Sequence, residues 1–430
     1  MFENCRGKKL LLIGVEENES LIRAAHEMGV YVILIDKNAD KINSLSKEMA
    51  DEVWAMDYSN LENVVKKCRE NNVSGVLAGY SEFKVSFAQK VAEALGTPFY
   101  ATAEQIEITR NKRSFKDACL KYGIPTPTDY CFKKKPTDEE KKNIKYPVII
   151  KPTDYAGCKG ISVCYSEDQL DEAIEYALEY SVSKTIICEQ YLVGIEFAAI
   201  YTIVDGTASL SCLNDKFISR NDEGFAGRCA LVFNPSKYYN KFVETVDGKI
   251  KALLKGIGAN NGVAFFQGIA NDESIHVFEM GYRLNGNNDC NVIEKVNNIN
   301  FMKMLISHSL TGNMGDDLKK DNPALKEYLI SLCFRLHRGV VKKIDYSAIL
   351  NDPRVLDVHC YITPGTEVAN ENTSQSRGLL VKFRASTLED AENTIHYLQS
   401  NVYFLNEKGE NMLFDGFDTK LLYERYGQVK

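Results

Sequence analysis

The first hundred residues alternate between short apolar runs and segments with helical spacing. The runs "KLLLIGV" and "VYVILID" are apolar along their whole length, as in strands that are buried on both faces. Between them, "NESLIRAAHEMG" places apolar residues at helical spacing and stops at Gly29. The alternation continues through "NLENVVKKCRENN" (helix), "VSGVLAG" (strand) and "EFKVSFAQKVAEALG" (helix). This pattern predicts βαβ units and a parallel sheet.

Polar residues follow two of these predicted strands. In an open parallel sheet, small ligands bind at the carboxyl ends of the strands. Asp36 and the stretch "GYSE", which ends at Glu82, lie at such ends, so Glu82 is a candidate for substrate binding; both could equally be ordinary loop residues. The first strand–helix turn, from Gly14 to Glu19, lacks the fingerprint G-x-G-x-x-G, which argues against a dinucleotide site.

The pattern changes in the rest of the chain. The helical segment "TAEQIEITRNKRSFKDACLKYG" precedes the polar stretch "KKKPTDEEKKNIK", which predicts an exposed loop or a short helix. Hairpins and helices follow, as in an α+β unit. Further on, "NPALKEYLISLCFRLHRGVV" indicates helix, "GLLVKFRAS" a strand, "LEDAENTIHYLQSN" a helix and "NEKGENML" a turn between strands. We therefore expect three domains, over residues 1–108, 109–312 and 313–430.

Composition and charge narrow the function classes. The net charge of −7 and the pI near 5.6 argue against a nucleic-acid surface, which needs a basic stripe, while a local basic pocket stays compatible. The twelve cysteines form no C-x-x-C pair and the six histidines show no metal-binding spacing. The sequence shows no signal peptide and no apolar stretch of about 18 residues. We expect a cytoplasmic protein with reduced cysteines and with neither membrane nor nucleic acid as a partner.

The stretch "YPVIIKPTDYAGCKGISVCY" has the features of a hairpin that folds over phosphates. Lys151 ends an apolar strand, so its ammonium can reach into a cleft while its stem packs. Gly157 and Gly160 let backbone N–H groups approach an anion, and Lys159 between them adds a positive charge. The loop is not the P-loop pattern G-x-x-x-x-G-K-[ST] and joins strand to strand. Taken alone, it could also be an ordinary glycine hairpin.

A second stretch, "KTIICEQYLVGIEFAAIYTI", joins two apolar strands by a short linker. One strand ends at Glu189 and the next carries Glu196, seven residues further on. The linker includes Gln190, Tyr191 and Leu192. Its backbone can hydrogen-bond a purine, and the second carboxylate can bind ribose hydroxyls. A strand pair with surface glutamates explains the same pattern.

A third stretch, "GVAFFQGIANDESIHVFEMGYRLNGNND", contains two apolar strands joined by a polar turn. Gln267 lies in the first strand and Glu279 in the second. An acid within an apolar strand costs free energy unless it is paired or binds a metal ion. The two side chains could share Mg²⁺, and Arg283 would offer a planar fork to a phosphate or carboxylate. A buried ion pair between Glu279 and Arg283 is the alternative.

Taken in order, these stretches resemble the ATP-grasp superfamily of carboxylate–amine and carboxylate–thiol ligases. The resemblance is carried by the Lys-Pro strand with its small-residue loop, by "CEQYLVGIEF", which is similar to E-x-h-h-x-G-x-E, and by "FEMGYRLNG", which is similar to E-x-N-x-R. In addition, "RNKRSFKDACLKYGIPTP" is similar to the N-K-x-x-x-[KR] helix that precedes G-h-P-x-P. The resemblance as a whole is closest to one branch of the superfamily, which includes the carbamoyl-phosphate synthase large subunit, biotin carboxylase, purine-pathway ligases and bacterial L-amino-acid ligases.

The resemblance covers about the first 310 residues and implies a fold. The fold class is α/β and α+β: a Rossmann-like domain leads, and a two-subdomain ATP-grasp fold with a lid at residues 153–161 follows. A C-terminal α+β segment would complete the substrate pocket.

The resemblance also implies roles at the matched positions. Lys112 and Lys151 would bind the α- and β-phosphates, Glu189 to Leu192 the adenine, and Glu196 the ribose. Gln267 and Glu279 would bind Mg²⁺. Arg283 and Lys159 would act in catalysis, and Cys158 would pack in the lid rather than act as a nucleophile. The residues implied to bind the nucleotide are Lys112, Lys151, Gly157, Gly160, Glu189, Gln190, Tyr191, Leu192 and Glu196.

One position departs from the family pattern. Where the family usually has an Asn as a third metal ligand, this chain has Gly281. A water molecule, Asn285 or Asn287 could compensate; otherwise the second metal site is weakened.

The implied function is that of an ATP-dependent carboxylate–amine ligase. It would use ATP and Mg²⁺, with Mn²⁺ as a substitute, and act on a small-molecule carboxylate and an amine, an amino acid being one candidate. Arg220 and Arg228, in a charged, glycine-rich loop, are candidates for binding the carboxylate, although solvated loop charges explain them equally well. A homodimer would be typical of such enzymes. The alternatives are phosphoryl transfer to a small molecule, a biotin-carboxylase-like role and nucleotide binding without catalysis.

Overall fold

The computed structural model describes residues 2–14, 19–37, 44–130, 132, 135–155, 159–219, 228–286, 290–315, 317–371 and 376–427. No helix in these ranges is both long enough and apolar enough to cross a membrane.

A four-stranded parallel sheet in the order β3-β2-β1-β4 organises the first part of the chain. Helices connect the strands, as the alternating pattern predicts. β3, in the sequence "EVWA", was not predicted, because its four residues are too few to show a period. The elements are β1 (Lys9–Ile13), α1 (Glu19–Glu27), β2 (Tyr31–Asp36), α2 (Leu45–Met49), β3 (Glu52–Ala55), α3 (Leu61–Glu70), β4 (Gly75–Ala78) and α4 (Glu82–Leu95).

Two helices, α5 (Ala103–Arg110) and α6 (Lys112–Lys121), occupy the segment that predicts continuous helix. The prediction is wrong at Asn111, whose backbone is extended and whose side chain accepts hydrogen bonds from the N–H groups of Arg113 and Ser114. Asn is favoured at such N-caps. The break makes Lys112 the first residue of α6. The polar stretch that follows forms the short helix α7 (Asp138–Lys142).

A small antiparallel sheet in the order β6-β5-β7 comes next. Its strands are β5 (Val148–Pro152), β6 (Ser162–Cys164) and β7 (Ile186–Gln190), and α8 (Leu170–Tyr180) precedes β7. The predicted hairpin around Lys151 is therefore present. Apolar residues of β5, β7 and α8 form a compact core of their own.

The largest element is an antiparallel eight-stranded sheet in the order β12-β11-β8-β9-β10-β13-β18-β16. Strands from the middle and from the C-terminal third of the chain join in it, through the pairing of β10 with β13. Its strands are β8 (Ile195–Val204), β9 (Thr207–Ser219), β10 (Arg228–Asn234), β11 (Gly262–Ala270), β12 (Ile275–Gly281), β13 (Tyr328–Arg335), β16 (Val355–Cys360) and β18 (Arg377–Ala385). The helices of this region are α9 (Tyr239–Phe242), α10 (Gly248–Gly256), α11 (Cys290–Asn297) and α12 (Phe301–Thr311).

The helix predicted in residues 322–341 is wrong, because this segment contains β13. The sequence "YLISLCFR" is buried along most of its length, and a short, nearly continuous apolar run does not distinguish a buried strand from a buried helix.

The strand, helix and turn predicted after this segment are present. The remaining strands and α-helices are β14 (Gly339–Val340), β15 (Lys343–Asp345), β17 (Glu367–Val368), α13 (Leu388–Ser400), β19 (Tyr403–Leu405) and α14 (Lys420–Tyr426).

Candidate functional site

Lys151 lies in a buried charge cluster at the end of β5. Its ammonium is 2.6 Å from Oε2 of Glu189, which projects from the neighbouring strand β7. Lys116 on α6 donates to the other oxygen of Glu189 and to the carbonyl of Pro127. Burial would raise the pKa of Glu189, but the charges of Lys151 and Lys116 outweigh it and hold that pKa below its ordinary value. One carboxylate thus fixes two buried ammonium groups.

Lys112 joins this cluster from the start of α6. Its backbone N–H donates to the carbonyl of Thr153, and its ammonium donates to the carbonyl of Tyr155 at 2.7 Å. Burial lowers the pKa of Lys112, the charge of Glu279 opposes this shift and the charge of Lys151 adds to it. Lys112, Lys151 and Glu279 are therefore close enough to interact, although three separate motifs supply them.

The loop that joins β5 to β6 is held where it enters and where it leaves. Asp154 accepts a 2.7 Å hydrogen bond from the backbone N–H of Ser183. Gly160 has φ of +72°, a left-handed conformation that disfavours side chains. A Cβ at this position would lie 3.1 Å from Cβ of Tyr180 and 3.3 Å from the ring of Pro152. The predicted glycine is thus required both by conformation and by packing.

Three further residues belong to the predicted lid. The side chain of Lys159 is exposed, so it stays available to an approaching anion. Gly157 and Cys158 lie outside the described residues, and their predicted roles stay predictions.

Polar side chains also share one face of the eight-stranded sheet. Gln267 on β11 is directly opposite Glu279 on β12 and Ala198 on β8. Two residues from Ala198, Glu196 is directly opposite Lys216 on β9. Residues opposite each other on neighbouring strands share a face, as do residues two apart on one strand. The predicted ribose residue and the predicted metal ligands therefore face the same side.

The donor set fits a metal ion that takes few ligands from the protein. Gln267 and Glu279 offer two oxygen ligands, and among the described residues no group of three His, Cys, Asp or Glu side chains could hold a metal ion. At Gly281, a Cβ would lie 2.4 Å from the ring of Phe265, so a third ligand has no room there. Mg²⁺ suits this arrangement because it usually keeps waters and phosphate oxygens as ligands.

Arg283 forms its ion pair with Glu82, not with Glu279. Nε of Arg283 donates to Oε1 of Glu82 at 2.5 Å, and its Nη1 donates to the carbonyl of Leu284 at 2.7 Å. Its guanidinium also lies 4.9 Å from the ring centroid of Phe265. The contact joins the end of the parallel sheet, where α4 begins, to the end of β12. The predicted alternative, an ion pair between Glu279 and Arg283, is wrong.

Of the predicted adenine-binding residues, Gln190 ends β7, and Tyr191 and Leu192 lie in the linker between β7 and β8. The N–H of Gln190 donates to the carbonyl of Thr128, and the N–H of Tyr191 donates to the carbonyl of Pro147. Other backbone groups of the linker, including those of Leu192, would have to contact a purine. The side chain of Glu189 is engaged by lysines, so only its backbone is suited to the predicted adenine contact.

The candidate substrate residues are only partly described. Glu82 lies beside Arg283. Arg220 lies outside the described residues; Arg228 begins β10, but its side chain is outside the description. Asn285 is buried, whereas Asn287 lies outside the described residues. The predictions for these residues stay open.

Two lysines of the site were missed. Lys116 occupies the last position of the N-K-x-x-x-[KR] pattern, which was the signal for it in the sequence. Lys216 is 8% exposed within a strand, and a lysine inside the run "SLSCLNDKFIS" was the available signal. Neither pattern predicts which acid each lysine faces, because register is set by tertiary pairing.

Comparison with known sequences agrees with this geometry. Residues 109–287 match a family model described as an ATP-grasp domain. A phosphoribosylamine–glycine ligase of Fusobacterium nucleatum is 25% identical over 278 residues, which are 57% of this chain and 64% of that protein. The large chain of carbamoyl phosphate synthase from Clostridium acetobutylicum is 24% identical over 315 residues, 70% of this chain and 28% of that protein. The matches thus span less than two thirds of either relative.

Solved structures share the fold over most of the chain. An L-amino acid ligase from Bacillus licheniformis superposes with a TM-score of 0.78 at 17% identity and covers 94% of this chain and 99% of its own. The biotin carboxylase domain of Hydrogenobacter thermophilus 2-oxoglutarate carboxylase, solved with MgADP and bicarbonate, gives a TM-score of 0.76 at 19% identity. It covers 92% of this chain and 90% of its own. The predicted resemblance and the predicted fold class are confirmed.

Proposed function

We propose that this chain, whose residues 109–287 form an ATP-grasp domain, is an ATP-dependent ligase that joins a small-molecule carboxylate to an amine. The observation that carries the proposal is that Lys112 and Lys151 meet beside Glu279: the ammonium of Lys112 donates to the carbonyl of Tyr155 just after β5, and that of Lys151 lies 5.5 Å from the ring centroid of Phe278, the neighbour of Glu279 in β12. One buried and one partly buried ammonium group beside a metal-type carboxylate suit a nucleotide triphosphate better than a structural ion pair.

In this proposal the nucleotide lies between the small antiparallel sheet and the polar face of the eight-stranded sheet. Lys112 and Lys151 bind its phosphates, and residues 153–161 close over them as a lid with Lys159. The linker from Glu189 to Leu192 contacts the adenine, and Glu196 the ribose. The proposed domain boundaries remain 1–108, 109–312 and 313–430, with the C-terminal domain completing the substrate pocket.

Glu279 and Gln267 would hold Mg²⁺, for which Mn²⁺ can substitute. When bound, the ion neutralises charge on the phosphates. The remaining ligands would be nucleotide oxygens and water, because Gly281 leaves no space for a third side chain.

The proposed reaction has two steps. A carboxylate oxygen attacks the γ-phosphorus of ATP and the bond to ADP breaks, which gives an acyl phosphate. The amine nitrogen then attacks the acyl carbon, phosphate leaves and the nitrogen loses a proton. The protein supplies position and charge rather than a nucleophile. Arg283, held by Glu82, would stabilise charge on the transferred phosphoryl group, and the lid would keep water from the acyl phosphate.

Release of ADP in the presence of hydroxylamine tests the proposal. The protein is incubated with Mg-ATP and pools of amino acids and small carboxylates, and hydroxylamine traps acyl phosphates as hydroxamates. We expect ADP and a hydroxamate from at least one pool. Lys151→Ala and Glu279→Ala should abolish both products, whereas Lys145→Ala, at an exposed position, should not.

The products found in this assay distinguish the ligase from the alternative functions. ADP without hydroxamate would favour phosphoryl transfer to a small molecule or ATP hydrolysis. ATP binding without ADP in any pool would contradict the ligase proposal and favour a nucleotide-binding protein.

A homodimer is the proposed oligomeric state, since the biotin carboxylase domain of Hydrogenobacter thermophilus 2-oxoglutarate carboxylase was crystallised as a dimer. Sedimentation equilibrium of the purified chain checks it.

A further inference from the structure

A cavity of about 320 Å³ lies between the eight-stranded sheet and the C-terminal part of the chain. Residues of β9, β10 and β13 form one wall, and residues 413–418 together with α14 form another. Much of the lining is aromatic, and its rings belong to Phe217, Phe334, Phe414 and Phe417. Small molecules bind in cavities of about 300–1,000 Å³ with mostly apolar walls and a few polar groups. This cavity therefore has the size and the lining of a small-molecule site.

The cavity and the proposed nucleotide site lie on opposite faces of the sheet. Phe217, Leu231 and Leu332 are directly opposite one another on β9, β10 and β13, so they share a face. Apolar residues of α13 and α14 pack on this face. Lys216, the neighbour of Phe217 in β9, points to the other face, where it is directly opposite Glu196. A ligand in the cavity therefore does not compete with the nucleotide for space.

Positive charge lies deeper in the cavity than negative charge. Arg335 and Arg425 are partly buried, whereas Asp415 and Asp418 are exposed. The guanidinium of Arg425 lies 3.5 Å from the ring centroid of Phe217, as in a cation–π contact. Guanidinium groups are planar forks that match the geometry of a carboxylate and also stack on aromatic rings. The lining thus favours an anion with an aromatic body.

Arg425 also connects the cavity to β9. Its Nη1 donates to the carbonyl of Lys216 at 2.9 Å. The hydroxyl of the next residue, Tyr426, donates to Oδ2 of the buried Asp215 at 2.7 Å. The ring of Tyr426 also stacks on that of Phe233, with 4.3 Å between the centroids. These contacts hold α14 to the part of β9 that lies beside the proposed ribose residue on the opposite face.

We propose that this cavity binds a small aromatic carboxylate and that the bound ligand weakens nucleotide binding. The aromatic body packs among the phenylalanine rings, and the carboxylate accepts hydrogen bonds from Arg335 and Arg425. A carboxylate beside Arg425 neutralises its charge and so weakens its hydrogen bond to the carbonyl of Lys216. β9 is then held less firmly beside the proposed ribose residue. Binding in the cavity does not rest on the proposed function, whereas its effect on the nucleotide does.

Isothermal titration calorimetry tests binding in the cavity. Benzoate, phenylacetate, 3-phenylpropionate and indole-3-acetate are titrated singly into the nucleotide-free full chain. For the tightest binder, the matched primary amide, which lacks the charge, and acetate, which lacks the ring, are titrated next. We expect at least one aromatic carboxylate to bind, and both the amide and acetate to bind about tenfold more weakly or worse.

Variants assign the contacts. Arg425→Gln and Arg335→Gln should each weaken the aromatic carboxylate about tenfold or more and leave the amide unchanged. Ala230→Phe fills part of the cavity from β10 and should weaken the carboxylate and the amide alike. Arg384→Gln, at an exposed position of the same sheet, is the control and should bind like the unmodified protein. Thermal melting shows that each variant is folded.

Titration of a non-hydrolysable ATP analogue, with and without a saturating aromatic carboxylate, tests the effect on the nucleotide. We expect the carboxylate to raise the Kd of the analogue about fivefold or more in the unmodified protein. In Ala230→Phe, the carboxylate should leave this Kd unchanged.

The inference is overturned if none of the four carboxylates binds, if the amide or acetate binds as tightly, or if Arg335→Gln binds like the control. An unchanged Kd of the ATP analogue in the unmodified protein also contradicts it. Should Arg425→Gln fail to fold, because it loses the contact with Lys216, Arg335→Gln and Ala230→Phe decide by the same criteria. Failure of the ATP analogue to bind at all would contradict the proposed function, while binding in the cavity would still be decided by the carboxylate titrations.

Discussion

At the scale of single residues, the site contains charged side chains whose burial would cost free energy if each lacked a partner of opposite charge. Lys116 and Lys151 are each 5% exposed, and Glu189 between them is 2% exposed. The motifs predicted Lys151 and Glu189 but gave Glu189 the role of contacting adenine. Its side chain instead fixes the lysines, a role that depends on the pairing of β5 with β7 and is not visible in either motif.

Replacing Glu189 by Gln should lower the free energy of unfolding by about 3–5 kcal/mol, because two ammonium groups would remain buried without their carboxylate. Urea unfolding at pH 7 measures the change. Glu167→Gln, at an exposed position, should change it by about 0.5 kcal/mol or less. Since the folded-state pKa of Glu189 is lowered, its contribution is present above the pKa of the unfolded chain and is lost as the pH falls through the folded-state value. Equal stability of the unmodified protein and Glu189→Gln would contradict this account.

Burial of Lys84 should make the free energy of unfolding depend on pH in a second, more alkaline range. Burial lowers its pKa to about 8. Between that pH and the ordinary lysine pKa, the unfolded chain binds a proton that the folded chain does not, so stability rises with pH in this window. Lys84→Met should lose this rise, as measured by urea unfolding from pH 7.5 to 10.5, whereas the exposed Lys90→Met should keep it. The same rise in Lys84→Met would show that another group causes it.

At the scale of elements, the spacing of apolar residues predicted the strands and helices in which apolar and polar positions alternate regularly. It failed where an element is buried on all sides, because such an element is apolar throughout and shows no period. The parallel sheet follows from alternating runs, and the hairpin at Lys151 follows from its glycines. β13 was predicted as helix because both of its faces are covered, and the break at Asn111 was missed because a capping side chain fits into a helical pattern. Which strands pair is decided by tertiary contacts, and where a helix is capped is decided by local hydrogen bonds. The spacing of apolar residues predicts neither.

Gly160 gives a test of the lid as an element. Gly160→Ala and Gly96→Ala start from nearly the same backbone, with φ of +72° and +71°, but an added Cβ at Gly96 meets nothing within 4 Å. Both should lose about 1–2 kcal/mol from the left-handed conformation. Gly160→Ala should lose more and should also raise KM for ATP, because the loop must move away from Tyr180 and Pro152. Equal losses and an unchanged KM would contradict the packing argument.

At the scale of the whole molecule, the proposed reaction depends on the contact between the parallel sheet and the eight-stranded sheet. Glu82 and Arg283 are 201 positions apart and form a 2.5 Å hydrogen bond across this junction. Each was predicted as a site residue, but their pairing was not, because no local pattern links positions so distant. The presence of Gly281 where the family usually has Asn is likewise explained by tertiary packing, because the ring of Phe265 fills the space that a side chain at position 281 would need.

Glu82→Gln should lower kcat for ADP release about tenfold to a hundredfold, because Arg283 loses the charged partner that positions it. Binding of a non-hydrolysable ATP analogue should be unchanged. Glu93→Gln, an exposed acid on the same helix, is the control. A parallel loss of nucleotide binding in Glu82→Gln would mean that the pair supports the fold rather than the position of Arg283.

The transfer of ¹⁸O from the carboxylate substrate to inorganic phosphate tests the central claim most directly. The acid found in the hydroxylamine assay is labelled in its carboxylate and incubated with the amine and unlabelled Mg-ATP. An acyl phosphate intermediate places one labelled oxygen in each phosphate released, and this is the result we predict. Unlabelled phosphate formed together with the amide would contradict carboxylate activation by phosphoryl transfer.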